Sequence, residues 1–236
     1  MAFVVPAPPV PSVPVKGRPG DAFPVHRIYC VGRNYVEHAL EMGASGREAP
    51  FFFMKPADAV LPVAEGRVGE MRYPSLTTNL HHEVELVVAI GRGGRNITAA
   101  DAGACVWGYA VGLDMTRRDL QNDAKKLGRP WCVSKGFDES APIGPIVPAA
   151  ECALRADSEI VLAVNGAPRQ ASVIGKLIWN VAEIIENISA GWALVPGDLI
   201  FTGTPAGVSA VVSGDILSAR IDGVGTLQVE VIQQEG

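Results

Sequence analysis

The segment LHHEVELVVAI, residues 80–90, constrains the fold most strongly. Every residue beyond Glu85 in this segment is apolar, and a strand with two apolar faces is buried on both sides of its sheet. Two carboxylates, Glu83 and Glu85, lie at its beginning, and burying neighbouring carboxylates is costly without positive partners. The segment therefore predicts a packed sheet with an acidic site at one strand end. The alternative is a solvated strand start that carries two surface glutamates.

Composition indicates a β-rich globular protein. Its 236 residues include 26 glycines and 18 prolines, and long helical patterns are scarce, so short strands and shaped loops are expected. A net charge of −5 without a dense basic run argues against nucleic-acid binding. Four widely spaced cysteines predict neither a zinc ribbon nor a disulfide framework. Without a long apolar stretch or a good signal peptide, we expect a cytoplasmic protein and no membrane partner.

The pattern of elements predicts a β-rich α+β fold. We interpret residues 1–20 as a Pro-rich N-terminal arm and residues 21–236 as a single domain. A helix is expected at 34–42, with Asn34 as its N-cap, and another at 116–127, opened by Thr116. The other predicted elements are an amphipathic helix at 176–189 and strands at 26–31, 50–56, 81–90, 105–114, 159–164, 215–221 and 225–232.

The segment CVWGYAVGLD, residues 105–114, ends in a third carboxylate. Asp114 shares a strand face with Gly108, Ala110 and Gly112, so there is room for something to lie against that face. Three acids near the ends of two strands suit a hard divalent cation such as Mg²⁺, with Mn²⁺ and Ca²⁺ as alternatives. Zinc would favour His or Cys ligands. Taken alone, Asp114 is also typical of an ordinary turn.

His38 and Glu41 lie three residues apart in the predicted helix 34–42, so their side chains share one face. A carboxylate on one imidazole nitrogen leaves the other nitrogen free to take a proton from water. The glycine-rich flanks of this short helix are typical of a movable lid. The same spacing is also found in ordinary exposed helical pairs.

Taken together, the motifs resemble the fumarylacetoacetate hydrolase family. They occur in the family's order, as IYCVGRNYVEHALEMG, PFFFMKPADAV, HHEVELVVAIG, GYAVGLDMTRRDLQ, SKGFDESAPIGP and GDLIFTGTPAGV. The resemblance covers residues 13–233 and is greatest to the acylpyruvase and fumarylpyruvate hydrolase branch. It implies a mixed β-sandwich roll with a few short helices, including a lid helix, and a homodimer.

The resemblance also implies a role for each matching residue. Those roles are metal binding by Glu83, Glu85 and Asp114, catalysis by His38, Glu41 and Lys135, and substrate binding by Arg118, Gln121 and Thr204. The implied ion is Mg²⁺, with Mn²⁺ possible. Out of this context, Lys135 is also typical of a surface or ion-paired lysine, and Thr204 of a turn.

The implied activity is hydrolysis of a C–C bond in a small 2,4-dioxo acid, an acylpyruvate. Fumarylpyruvate from the gentisate pathway of aromatic catabolism is the preferred substrate, giving fumarate and pyruvate. Arg33, Arg117 and Arg118 are candidates for holding its distal carboxylate. Three different functions stay open. They are an oxaloacetate decarboxylase or ring-cleavage-product isomerase or decarboxylase, a metal-stabilised ligand-binding protein without turnover, and a Cys–His hydrolase.

Overall fold

The computed structural model describes residues 3–36 and 47–233, which are mostly β-structure. The strands are β1 (Ser12–Pro14), β2 (Ala22–Pro24), β3 (Ile28–Val31), β4 (Phe52–Lys55), β5 (Val60–Pro62), β6 (Val68–Arg72), β7 (Leu80–His81), β8 (Val84–Ile90), β9 (Val106–Leu113), β10 (Thr116–Arg117), β11 (Ala141–Ile143), β12 (Val147–Pro148), β13 (Glu159–Val164), β14 (Ala167–Val173), β15 (Leu199–Phe201), β16 (Ala210–Val211), β17 (Ile216–Ile221) and β18 (Gly225–Ile232). The helices lying wholly within the described ranges are α1 (Arg118–Lys126), α2 (Cys132–Lys135) and α3 (Val181–Gly191).

Two large sheets organise the described part of the chain. The larger has the order β4-β3-β15-β8-β9-β11-β5, with β12 paired to β9, and mixes parallel and antiparallel pairs. The smaller has the order β14-β13-β17-β18-β6. Two small sheets, β10-β7-β16 and β1-β2, complete the strand pairing. The β-rich fold with a few short helices predicted from the sequence is confirmed.

Strand β8 is the central element of the larger sheet. It lies between β15 and β9, and every one of its residues is buried. Val84 and Leu86 pack in a core shared with the smaller sheet, where they join Leu162 and Leu217. Val87, on the opposite face, belongs to a second core. The prediction that this strand is buried on both sides is therefore correct.

The larger sheet curls around that second core. Phe53 on β4 and Val60 on β5, which belong to opposite edge strands, both pack against the same cluster. The β1–β2 hairpin closes it with Val13, which is fully buried, and Phe23. A third core forms where α3 packs on the larger sheet through Ile188 and the other buried isoleucines of the helix.

Strand pairing overrides the local pattern at the starts of two predicted elements. Residues 81–90 do not form one strand, since β7 pairs with β10 and β16 in a separate small sheet and β8 begins only at Val84. The helix predicted at 116–127 begins at Arg118, because Thr116 pairs with His81 instead of capping the helix. It ends as predicted before Gly128, which has a φ of +62°.

The helix predicted at 176–189 also begins later. A 3-10 turn occupies Ile174–Lys176, and Leu177 makes a β-bridge with Tyr35, so the chain there is not α-helical. Asn180 then caps α3 through a capping box, in which its side chain accepts from the N–H of Glu183 and the Glu183 carboxylate accepts from the N–H of Asn180.

No helix in the described ranges is both long and apolar enough to cross a membrane.

Replacing Gly112 with alanine is expected to destabilise the fold. A Cβ built at Gly112 would lie 2.5 Å from Val87 Cγ2 and 2.7 Å from Phe201 Cε1, both core atoms. Such overpacking typically costs about 1–3 kcal/mol, measurable as a lower urea midpoint. Gly103→Ala is the matched control, because a Cβ there meets nothing within 4 Å. Equal midpoints for the two variants would contradict the packing described here.

Candidate functional site

Strand pairing brings three carboxylates together at one end of β8 and β9. Glu85 on β8 is opposite Gly112 on β9, and the pairing continues past the strand end, where the N–H of Asp114 donates to the Glu83 carbonyl at 2.8 Å. One carboxylate oxygen each from Glu83, Glu85 and Asp114 lies within 4.8 Å of the others. All three residues are buried. We call this set the acidic cluster.

Two details of the sequence-based prediction need correction. Glu83 lies in the break between β7 and β8, so the two glutamates do not meet by simple alternation along one strand. The face beside Gly112 is also not empty, because the Phe201 ring and Val87 fill the space. The glycine therefore serves core packing.

Buried cations surround the acidic cluster. Lys135 on α2 donates to Glu83 Oε2 at 2.7 Å and to Asp114 Oδ2 at 2.6 Å. Arg118, the first residue of α1, donates to Glu83 Oε1. Lys55 at the end of β4 has its Nζ 2.9 Å from Asp114 Oδ1. The three cations thus pair with Glu83 and Asp114, which explains how the chain can bury these two carboxylates side by side.

The electrostatics differ among the members of the cluster. Burial, together with the Asp114 and Glu83 carboxylates, raises the pKa of Glu85 well above its ordinary value. Glu85 accepts a hydrogen bond from the N–H of Gly203 at 2.7 Å. Burial alone lowers the pKa of Lys135, but the carboxylates of Asp114 and Glu83 outweigh it and raise that pKa. Lys135 is therefore a firmly charged ammonium group.

The donor set fits a hard divalent cation. Carboxylate oxygens are the ligands that Mg²⁺ and Mn²⁺ prefer. Asp114 Oδ1 is buried and accepts no hydrogen bond within the described ranges. Lys55 Nζ attracts it electrostatically but donates to the carbonyl oxygens of Met115 and Lys135. A lone pair thus remains for a cation at the centre of the cluster.

The predicted substrate-binding residues border the acidic cluster. Arg118 Nη1 donates to Gln121 Oε1 at 2.6 Å, so these two side chains form a buried pair on α1. Thr204 is buried in the loop after β15. It follows Gly203, whose backbone N–H donates to the Glu85 carboxylate. Arg117, a candidate for the distal carboxylate, points elsewhere. It donates to the Val133 carbonyl and its guanidinium lies over the Phe137 ring, 4.3 Å from the centroid.

Asn34 anchors the segment that precedes the predicted catalytic pair. The helix predicted at 34–42 lies mostly outside the described residues. Within them, Asn34 Nδ2 donates to the carbonyls of Thr202 (2.7 Å) and Trp179 (2.8 Å). Its Oδ1 accepts from the N–H of Trp179 at 2.7 Å. Gly203, with a φ of +100°, fits against it, since a Cβ there would lie 2.6 Å from Asn34 Cβ. His38 and Glu41 lie outside the described residues.

Sequence reasoning did not assign Lys55 to the site, although a signal exists. A lone lysine inside the apolar run PFFFMKP has to be buried with a partner or turned to solvent. Gln170 is a second such residue. It is buried, and its Nε2 donates to Thr204 Oγ1 at 2.8 Å. Nothing in the strand pattern around Gln170 marks it.

Three buried carboxylates at the strand ends of a curled β-sheet thus form a group that could hold a metal ion. Residues 27–232 match the family described as fumarylacetoacetate (FAA) hydrolase, C-terminal. The chain belongs to this family, which confirms the resemblance predicted from the motifs.

Comparison with individual proteins gives a closer view. The crystal structure of fumarylpyruvate hydrolase from Pseudomonas aeruginosa, in complex with Mn²⁺ and pyruvate, superposes with a TM-score of 0.95 at 52% identity, covering 99% of this chain and 100% of that one. The fumarylpyruvate hydrolase of a Ralstonia species is 44% identical over 78% of this chain and 93% of its own length. The mitochondrial oxaloacetate tautomerase FAHD1 of Rattus norvegicus is 42% identical over 86% of this chain and 90% of its own.

Lys55→Met is expected to destabilise the metal-free protein by up to about 3 kcal/mol, because it removes the cation at Asp114 Oδ1 while Lys135 still pairs with Oδ2. Saturating Mn²⁺ should restore part of this loss, since the ion replaces the missing charge. The gap in Tm between EDTA-treated and Mn²⁺-saturated protein will therefore be wider in the variant than in the wild type.

The control is Lys126→Met, whose ammonium group is exposed and 3.8 Å from Asp123. Its effect should stay within about 0.5 kcal/mol under both conditions. A Lys55→Met protein as stable without metal as the wild type would show that Lys55 does not neutralise Asp114.

Proposed function

We propose that the chain is a divalent-metal-dependent hydrolase that cleaves a C–C bond of 2,4-dioxo acids, with fumarylpyruvate converted to fumarate and pyruvate. It would act in the cytoplasm as a homodimer in aromatic-compound catabolism. The identity to the fumarylpyruvate hydrolases of Pseudomonas aeruginosa and a Ralstonia species supports this substrate.

The charge balance of the acidic cluster is the observation that carries the proposal. When the carboxylates of Glu83, Glu85 and Asp114 are all ionised, as binding of a cation requires, Lys55, Arg118 and Lys135 balance their charge. A divalent cation on these carboxylates therefore gives the centre a formal excess of two positive charges. An anionic ligand complements that excess, and an ionised dioxo acid is such a ligand.

Glu83, Glu85 and Asp114 would hold Mg²⁺ or Mn²⁺, which supplies Lewis-acid stabilisation of oxyanion charge when bound. Lys135, beside the same carboxylates, is placed to donate to the oxygen on which negative charge develops. Losing one such donor typically lowers the rate about 10²–10³-fold. Gln121, which is held by Arg118, and Thr204 would contact the polar groups of the substrate.

His38, oriented by Glu41, is assigned the general base. It would take a proton from the water that attacks the C4 carbonyl. The C3–C4 bond then breaks, its electron pair passes to the pyruvate portion, and a proton returns to C3. The anchoring of Asn34 to Thr202 and Trp179 supports this assignment, since it fixes the start of the segment close to the loop that contacts Glu85.

Tautomerisation or decarboxylation of oxaloacetate is the second candidate. The similarity to the mitochondrial oxaloacetate tautomerase of Rattus norvegicus favours it. These reactions use the same acidic cluster but need no attacking water. A base able to activate water therefore favours hydrolysis.

A binding protein without turnover and a Cys–His hydrolase have less support. The first does not need the buried Lys135. The second needs a reactive thiolate, yet burial, followed by the Asp114 carboxylate, raises the pKa of Cys30 well above its ordinary value.

His38→Ala is expected to lower the rate of acylpyruvate hydrolysis by about 10²–10⁴-fold, as loss of a general base does. Mn²⁺ binding, measured by titration calorimetry, should stay unchanged because the acidic cluster is intact. His26→Ala is the control, since His26 is exposed and pairs with Asp198. Unchanged hydrolysis in His38→Ala would exclude His38 as the base.

A panel of four substrates distinguishes the candidate functions. Fumarylpyruvate, acetylpyruvate, fumarylacetoacetate and oxaloacetate are each assayed with EDTA and after readdition of Mn²⁺. We expect the highest kcat/KM for fumarylpyruvate, loss of activity in EDTA and recovery with the ion. Oxaloacetate as the best substrate would support the second candidate. Inactivation by iodoacetamide but not by EDTA would support the thiol mechanism.

A further inference from the structure

Gln170 on β14 joins the smaller sheet to the neighbourhood of the acidic cluster. It is buried, and its side-chain amide makes four hydrogen bonds. Its Oε1 contacts His82 Nδ1 at 2.9 Å and accepts from the N–H of Val84 at 3.1 Å. Its Nε2 donates to Thr204 Oγ1 and to the Pro205 carbonyl, each at 2.8 Å. One amide therefore connects the segment that carries Glu83 to the loop that carries Thr204.

The partners determine which way this amide faces. The N–H of Val84 can only donate and the carbonyl of Pro205 can only accept, so the amide oxygen faces Val84 and the NH₂ group faces Pro205. Thr204 Oγ1 faces the same NH₂ group and is therefore an acceptor in that contact. Its own hydrogen is turned away from Gln170, and it is donated to no residue in ranges 3–36 and 47–233.

A β-bulge places Gln170 in this position. The register between β13 and β14 shifts, with Leu162 opposite Gln170 and Ala163 opposite Pro168, so Arg169 is an extra residue. Bulges near functional sites commonly re-aim a neighbouring side chain. The loop after Thr204 fits closely against the bulge, since a Cβ built at Gly207 would lie 2.1 Å from the Arg169 carbonyl oxygen.

The loop also contacts the acidic cluster directly. The N–H of Gly203 donates to Glu85 Oε2 at 2.7 Å, so Thr204 follows immediately after a residue that holds a member of the cluster. A hydroxyl hydrogen presented here is suited to an anionic group bound beside the cluster.

We propose that Gln170 is a positioning residue that sets the polarity of the Thr204 hydroxyl, so that this hydroxyl donates to the carboxylate of a bound 2-oxo acid. The class of ligand rests on the proposed function. Because Gln170 occupies one lone pair of the hydroxyl and offers it no acceptor, the hydroxyl hydrogen stays available for the ligand. A carboxylate, which only accepts, uses that hydrogen.

Two substitutions test this role, with pyruvate as the probe and titration calorimetry on the Mn²⁺-loaded protein as the readout. Gln170→Glu replaces the donor with an acceptor, which turns the Thr204 hydrogen towards position 170. Pyruvate affinity should fall about tenfold or more, as for a lost hydrogen bond to a charged group. Gln170→Met only removes the donor and frees the hydroxyl to rotate, so a loss of about two- to tenfold is expected.

Combining the Gln170 substitutions with substitutions of Thr204 distinguishes an effect that acts through the Thr204 hydroxyl from a general structural effect. In Thr204→Val, neither Gln170 substitution should weaken pyruvate binding further, because the hydroxyl through which Gln170 acts is gone. In Thr204→Ser, which retains the hydroxyl, the loss should persist. Gln228→Glu is the matched control, since Gln228 donates to the Ser218 hydroxyl on the exposed side of β18, and it should leave pyruvate affinity unchanged.

The outcomes are distinct. Non-additivity between positions 170 and 204, with Mn²⁺ affinity unchanged, supports the inference. Additive losses, unchanged pyruvate affinity in the Gln170 variants, or a wild-type protein that binds no pyruvate would overturn it. If Gln170→Glu does not fold, Gln170→Met decides by the same criteria.

Hydrolysis of fumarylpyruvate by the wild type is measured separately. If the wild type does not hydrolyse fumarylpyruvate but the substitutions at positions 170 and 204 affect pyruvate binding non-additively, only the proposed function is refuted. If it hydrolyses fumarylpyruvate but the effects on pyruvate binding are additive, only the positioning role of Gln170 is refuted.

Discussion

The bridge that Lys135 forms between Glu83 and Asp114 is the interaction on which the centre depends. The two carboxylates come from different strand ends and repel each other in a region that water hardly enters. An ammonium group between them allows the strands to pair as far as their ends. Lys55 and Arg118 neutralise the other oxygen of each carboxylate, Asp114 Oδ1 and Glu83 Oε1. The same buried cations therefore permit the packing of the large sheet and form part of the site.

Much of this arrangement could be predicted from the sequence, because local rules and tertiary packing agree there. The apolar run after Glu85 predicts a strand buried on both faces, and β8 is one. The strand predicted at 159–164 is also found, and it ends in a turn at Asn165 and Gly166, both with positive φ. The carboxylates at positions 83, 85 and 114 were recognisable as a set because each stands at the end of a strongly apolar segment.

The remaining features depend on contacts distant in sequence, which no local pattern encodes. Thr116 is a good helix N-cap by composition, but it is paired in a strand with His81. Gly112 suggested an open face, and the Phe201 ring fills it. In both cases tertiary packing took precedence over local propensity. The Asn34 amide likewise bonds to chain segments more than 140 residues away, which no local pattern marks.

The bulge at Arg169 has a further consequence for how such a centre can change. The groups suited to hold a cation belong to the larger sheet, whereas the alignment of the Thr204 hydroxyl comes from the smaller one. If the proposed roles hold, cation affinity and anion preference reside in separate layers of the molecule. Substitutions along β14 would then change selectivity for the organic ligand and leave binding of the cation unchanged, which makes this strand a starting point for redesign.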